Sequence, residues 1–238
     1  VHTYMTIGMD LLNQANKVRE KGDPLKSLQL ADEATLELQK EGNLPKMAEA
    51  QAVRYLALKH LAGSTGDKVY FYLAKQATAS AVEIAETCED KTGLAIPYVN
   101  LAKAYLDLEQ YDQAVIFYKK ALENQINNPS KEHNRAGVVA DFKIHLAEAE
   151  YLAGDKTAID RLIKGISDLD ASDEKEVSIY NYHVWKSGAY MSAAKLLKED
   201  NPESAKEYLQ KAKEIIDADP ALKVRKTQWE KLAERFLK

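Results

Sequence analysis

Asp141, His145 and Glu148 stand at i, i+4 and i+7, which puts two carboxylates and an imidazole on one helix face. That set could hold a divalent metal, or pass a proton between a carboxylate and the ring. A metal centre needs ligands converging from more than one element, and no second His or Cys lies at ligand spacing nearby. The trio therefore reads as a hydrogen-bonded polar patch. The aromatic run Tyr180, Tyr182, His183, Trp185 and Tyr190 could stack a planar ligand. Yet Tyr182, Trp185, Ala189 and Leu196 share one helical face, as core residues do. Cys88 is the single cysteine, so no intrachain disulfide forms, and its place near a helix end suits a small packing residue better than a nucleophile. The sequence holds no Gly-rich phosphate loop, no His-Glu-x-x-His and no nucleophile elbow. No residue pattern calls for a cofactor or a metal, and the reading is that the chain is not an enzyme.

Helices must position these groups. Five helix-breaking dipeptides recur at Gly22-Asp23, Gly66-Asp67, Glu109-Gln110, Gly154-Asp155 and Asp200-Asn201, spaced 44, 43, 45 and 46 residues. A period of this size marks a stack of helical hairpins, each burying its apolar face against its neighbours. Before Gly22, Met5, Met9, Leu11, Leu12, Ala15 and Val18 follow helical spacing, and Leu28, Ala31, Ala34, Leu36 and Leu38 continue it afterwards. Asp23-Pro24, Asn201-Pro202 and Asp219-Pro220 are start signals, because the acid or amide takes a free amide and proline has none to leave unbonded. Asn128-Pro129 begins a helix or its lead-in turn, and Asp173 with Glu176 resembles a capping box. The spacing predicts helices over 3–21, 24–41, 46–62, 68–88, 92–108, 111–127, 131–153, 156–168, 174–199, 202–217 and 221–237, with almost no strand character. Ser187-Gly188 would bend the long 174–199 helix, and Leu222, Trp229, Leu232, Ala233 and Phe236 give the last helix one apolar side with which to cover the final pair.

Within the third repeat, Tyr98, Leu101, Ala102, Tyr105, Ala114, Tyr118 and Ala121 stand at a recognisable spacing. It resembles the large–Leu–small–Tyr…Ala–aromatic–Ala signature of the tetratricopeptide repeat (TPR) family. Other units match more loosely: Tyr55, Leu58, Ala62, Ala74, Thr78 and Ala81 in the second, where Lys59 takes a normally small position; Leu146, Ala147, Ala158, Leu162 and Gly165 in the fourth. The run Ala81-Val82-Glu83-Ile84-Ala85 leading to Asp90-Lys91-Thr92-Gly93 is similar to the family's longer-repeat branch. The resemblance implies an all-α, right-handed superhelical solenoid of about five antiparallel helix pairs plus a C-terminal capping helix. It would form a single domain over 1–238, with repeats near 3–41, 46–88, 92–127, 131–168 and 174–217 and the cap at 221–237.

In that family the first helix of each pair lines a concave groove where partners bind. Carried over, the partner-binding groove would consist of Leu12 and Asn16, then Val53, Leu56 and His60. Ile96, Val99, Asn100, Lys103 and Asp107 follow, then Asp141, Ile144, His145 and Glu148, and finally Tyr190. The family's carboxylate clamp requires Lys, Asn and Arg from three repeats. Here only Asn100 fits, while Asp141 would repel a carboxylate. The expected partner is instead a protein or peptide segment whose apolar side chains enter the Leu12–Leu56–Val99 stretch and whose basic group meets Asp107, Asp141 and Glu148.

With 45% hydrophobic residues the chain is globular, and a net charge of −4 with mixed signs argues against a nucleic-acid partner. Lys223, Arg225 and Lys226, the notable basic cluster, read as a solvated helix end. No apolar run reaches the roughly 18 residues of a membrane span, so no membrane partner is expected, and the expected location is the cytoplasm. The chain opens Val1-His2, as an excised or processed piece of something longer would. The first expectation is a non-catalytic scaffold that binds protein or peptide. The alternatives are the peptide-sensing part of a bacterial signalling or transcription regulator, and a scaffold that self-assembles as a homo-oligomer through its open end faces.

Overall fold

The helix starts follow from side chains that satisfy the first free amides. In the computed structural model, which describes residues 6–236, Asp23 accepts from the Lys26 amide at 3.0 Å, ahead of Pro24 in the first turn. Asn201 does the same for Ser204 at 3.1 Å, ahead of Pro202. A third start of this kind, absent from the expectations, is Asn43, which accepts from Lys46. The elements are α1 (Ile7–Glu20), α2 (Pro24–Lys40), α3 (Leu44–Thr65), α4 (Val69–Thr87), α5 (Ala95–Asp107), α6 (Tyr111–Asn127), α7 (Ala136–Leu152), α8 (Ala158–Asp170), α9 (Glu174–Val177), α10 (Ile179–Leu197), α11 (Pro202–Ala218) and α12 (Lys223–Ala233), with a 3-10 turn over Glu234–Phe236. The described residues form no strand, and no helix among them is long and apolar enough to cross a membrane.

Four local expectations are corrected. The long 174–199 helix breaks at Ser178, whose ψ of 87° is not helical, and runs unbroken through Ser187-Gly188. Asp173 makes no capping bond with its side chain. Asp219 gives one carboxylate oxygen to the Ala221 amide and the other to His183, so α12 begins only at Lys223. Asn128-Pro129 leads into turns, and α7 begins at Ala136. The start of the first expected helix, with Met5, and the end of the last lie outside the described residues. Four of the five breaks rest on left-handed backbone: Gly22, Gly66 and Gly154 have φ of 90°, 74° and 111°, and Glu109 occupies the same region at 59°.

The helices gather into two compact units, 1–129 and 130–238. In the first, the pairs α1/α2, α3/α4 and α5/α6 pack internally and each against the next. Leu12, Ala15, Ala31, Ala34, Leu38, Ala50 and Val53 form one core cluster, and Tyr55, Leu58, Ala74, Ala77 and Ala104 another. The signature residues Ala102, Ala114, Tyr118 and Ala121 are buried, as small crossings and their fillers should be. In the second unit α7 pairs with α8 and α10 with α11, and α10 also packs on α7 and α8. Ile144, Ala147, Leu162, Ala189 and Ala193 lie in its main core. Gly165 is the small residue of α8: a Cβ there would stand 2.6 Å from Ile144 Cγ1. Helix α12 lies on α10 and α11, and Trp229 Nε1 donates to the Leu209 carbonyl at 2.8 Å.

Ion pairs tie the second unit together at its turns. Lys156 reaches Asp200 at 3.1 Å, beside the Tyr151 hydroxyl that donates to the same carboxylate. Lys164 and Lys143 meet Asp168 at 2.7 and 3.3 Å, and His183 meets Asp219 at 2.8 Å. Tyr151 and Lys156 hold the Asp200 carboxyl below its ordinary value; Lys164 and Lys143 do so for Asp168, and His183 for Asp219.

These features set three expected outcomes for stability. Glu109→Gly relieves a left-handed non-glycine residue, and urea melts should show a gain of about 0.5–1 kcal/mol. Gly165→Ala gains about 1 kcal/mol of helix propensity but overpacks Ile144 at about 1–3 kcal/mol, so the same melts should show no gain and a net loss of up to about 2 kcal/mol. The depressed carboxyls bind protons more weakly folded than unfolded. Their stabilisation is complete above the ordinary aspartate value of 3.8 and is lost as pH falls through the folded values. Melts from about pH 5 to about pH 2 should steepen in that window, and Asp200→Asn should flatten the slope.

Candidate functional site

In the first unit α3 lies beside both α1 and α5, so their outward residues make one row. Leu12, Val53 and Val99 are not on it: each is at most 5% exposed, and Leu12 and Val53 share a core cluster. The apolar stretch expected to admit a partner's side chains is therefore closed at Leu12 and Val99, and only Leu56 remains half-exposed. Asn16, Asn100 and Lys103 are also half-exposed and His60 is exposed. Although His60 is exposed as a residue, its ring is partly desolvated, which holds the imidazole below its ordinary value, and the neighbouring Arg19 and Lys59 charges add to this.

Asp107 does not offer an open carboxylate to a basic partner group. Lys59 reaches it at 2.7 Å. Lys59 occupies a position the repeat pattern normally keeps small, and its long stem carries the ammonium from α3 across to α5. Burial works against that charge, but Tyr55 and Asp107 together hold the Lys59 ammonium above its ordinary pKa. Sequence reasoning flagged Lys59 as a departure without assigning it this partner.

The row ends at a feature not expected from the sequence. An apolar cavity of about 260 Å³ lies where α3, α4 and the turn before α5 meet. Ala48 and Ala52 of α3, Ala85 of α4, and Leu94, Ile96 and Pro97 line it; Glu49, Cys88 and Asp90 stand at it as well. Ile96 is the one expected groove residue that opens onto this space. Cys88, expected as a packing residue, is half-buried, with its thiol against the Ile84 carbonyl at 3.5 Å.

In the second unit Asp141, His145 and Glu148 do share a face of α7. Asp141 and Glu148 approach the two ring nitrogens of His145 at 3.7 Å each. Burial alone would push the Glu148 carboxyl up, but His145, Lys195 and Ser192 hold it below its ordinary value. No group of three His, Cys, Asp or Glu among the described residues could hold a metal ion. Ile144 is core, packed on Gly165, and the half-buried Tyr190 ring stacks on Tyr208 at 5.9 Å. Asp141 and His145 line a cavity of about 190 Å³ that also involves Trp185, Ser192, Lys195 and Arg225. Arg225 corrects an expectation: it is not part of a solvated helix end but is desolvated against α10, which lowers its pKa. The expected site residues thus fall into two sets, one in each unit.

Residues 95–125 match the tetratricopeptide repeat family model. No curated protein matches the chain significantly. Two solved structures share its fold. The crystal structure of nearly identical TPR-like repeats of a kinesin light chain from Podosopora anserina is 16% identical, covers 89% of this chain and 96% of its own, and has a TM-score of 0.59. A single-substitution form of those repeats is 15% identical, with coverages of 87% and 93% and a TM-score of 0.60. A tetratricopeptide repeat at 95–125 thus lies within a fold of adjacent helix pairs, a helical repeat scaffold that generally serves protein interaction and is generally non-catalytic.

Proposed function

We propose that this protein is a non-catalytic scaffold that captures a peptide segment of another protein along the α1–α3–α5 row of its first unit. The single observation that carries this reading is the apolar cavity at the foot of the row, with Ile96 on its wall. A partner inserts one apolar side chain there, while its backbone and polar groups meet Asn16, His60 and Asn100 above. Asp90 beside the cavity favours a basic residue next to the apolar anchor, while Glu49 is already met by Lys46 at 2.5 Å. Burying a leucine- or methionine-sized side chain contributes about 1.5–3 kcal/mol before the costs of association. A micromolar complex is worth about −8 kcal/mol, so contacts along the row above the cavity must supply most of it.

The cavity provides its own assay, because Cys88 stands at it and is the chain's single cysteine. A partner is first captured from lysate on the intact chain and then purified. Its binding should slow thiol labelling of Cys88. Ala52→Trp fills the cavity from its α3 wall and should weaken capture by about tenfold or more, with the helical circular dichroism signal unchanged. Undiminished capture by a folded Ala52→Trp chain, or labelling indifferent to the partner, removes the reading.

A further inference from the structure

Arg225 is held where an arginine is costly to hold. Its guanidinium lies on α10 in a seat made by Gly188, where a Cβ would stand 2.9 Å from Nη2 and 3.2 Å from Cζ. Nη1 donates to Gln228 at 2.7 Å, but the buried Nε–H meets no acceptor. Asp141 and Glu148 act on it only through their fields. A charge taken out of water without a bonded counter-charge is destabilising, and the planar fork of arginine fits a carboxylate with two parallel hydrogen bonds.

The guanidinium borders the 190 Å³ cavity of the second unit, and the other walls supply the rest of a receptor. Lys195 and Ser192 come from α10 and add a second cation and a hydroxyl, which also act on Glu148. Asp141, a buried residue on α7, brings a carboxylate that lies 3.7 Å from the His145 ring. Ile144, Trp185 and Leu232 add apolar lining. Opposite charges and apolar surface lining so small a space match a molecule carrying both charges on a short body. The volume fits a single small molecule: a cavity of about 150 Å³ takes benzene, whereas drug-sized ligands need about 300 Å³ or more.

We propose that this cavity binds a free α-amino acid with an apolar side chain. Its carboxylate lies on Arg225 with help from Lys195, its ammonium on Asp141, and its side chain against Trp185 and Leu232. This site is independent of the peptide row in the first unit, and either can fail without the other.

The test is isothermal titration calorimetry of the intact chain with L-leucine, L-methionine and L-phenylalanine. Each is compared with its C-terminal amide, its des-amino acid and acetate. At least one amino acid should bind once per chain at about 1 mM or below, with the amide and the des-amino acid weaker by about tenfold or more. Arg225→Gln should weaken the amino acid by about tenfold or more, and Asp141→Asn should weaken it without weakening the des-amino acid. Should Arg225→Gln fail to fold, Gly188→Ala carries the same test, since its methyl displaces the guanidinium from its seat. Absence of binding by all three amino acids overturns the proposal. So does equal binding of amide or acetate, or binding indifferent to the Arg225 and Gly188 substitutions.

Discussion

The structure depends on how closely neighbouring helices can approach one another. Ala15, Ala31, Ala34, Ala50, Ala102, Ala114, Ala121 and Ala193 are almost fully buried at such approaches. An alanine buries little surface of its own; its role is to let helix axes come within about 8–10 Å, so that large side chains on either side interlock. Tyr55, Tyr118, Leu38, Leu58 and Leu162 fill the spaces this leaves. Each such side chain contributes about 1.5–3 kcal/mol when fully removed from water. A hairpin alone could not hide these residues, so each pair is stabilised by the next, and a change at one crossing is felt in its neighbour.

That packing also decides what remains for other molecules. Within the first unit it consumes Leu12 of α1 and Val53 of α3, which close on each other in one cluster. The outward row is left with Leu56, amides, an imidazole and lysines, and its half-exposed acid, Asp107, is neutralised by Lys59. Apolar space survives where the geometry of a turn stops the helices from closing, between α3, α4 and the residues before α5. Small alanines line it on the helical side, so the same residue type that tightens the crossings leaves room here.

Reversals of the chain were legible in the sequence because they are made by local chemistry. Glycine supplies left-handed backbone, and Asp or Asn ahead of proline supplies a cap. Even Glu109, an unfavourable residue for φ of 59°, was legible from the period alone. The open or closed state of an apolar position was not. Helical spacing places Leu12, Val53 and Val99 on the inner face of their helices, but the same spacing results whether a neighbour covers that face or water does. The cavity of the second unit was half legible. The Asp141–His145–Glu148 register stood out, but the partner that gives it chemical meaning comes from α12, far along the chain. The signal that could have found it was Gly188: a glycine in the middle of a well-formed helix marks either a bend or a close approach, and here it is the approach of Arg225.

The break at Ser178 was not legible for a related reason: Ser178 caps α10 by accepting from the Asn181 amide at 3.3 Å, and a buried pair made by another arginine lies just before it. Without glycine or proline nearby, local propensity favours a continuous helix from 174 onward. The four residues of α9 instead turn so that Glu174, with no exposed surface, reaches Arg135 at 2.8 Å. Burial pushes the Glu174 carboxyl up, and Arg135 pulls it back only in part. The pair needs a glycine as its seat, as Arg225 does: a Cβ at Gly137 would stand 2.7 Å from Glu174 Cβ. A buried ion pair of this kind adds little net stability, because desolvation consumes most of the attraction. Its effect is positional, holding the first residue of α9 against Arg135 at the start of α7. Arg135 has its carboxylate within the chain and Arg225 has none in contact, so the two seats differ chiefly in whether the counter-charge is already present.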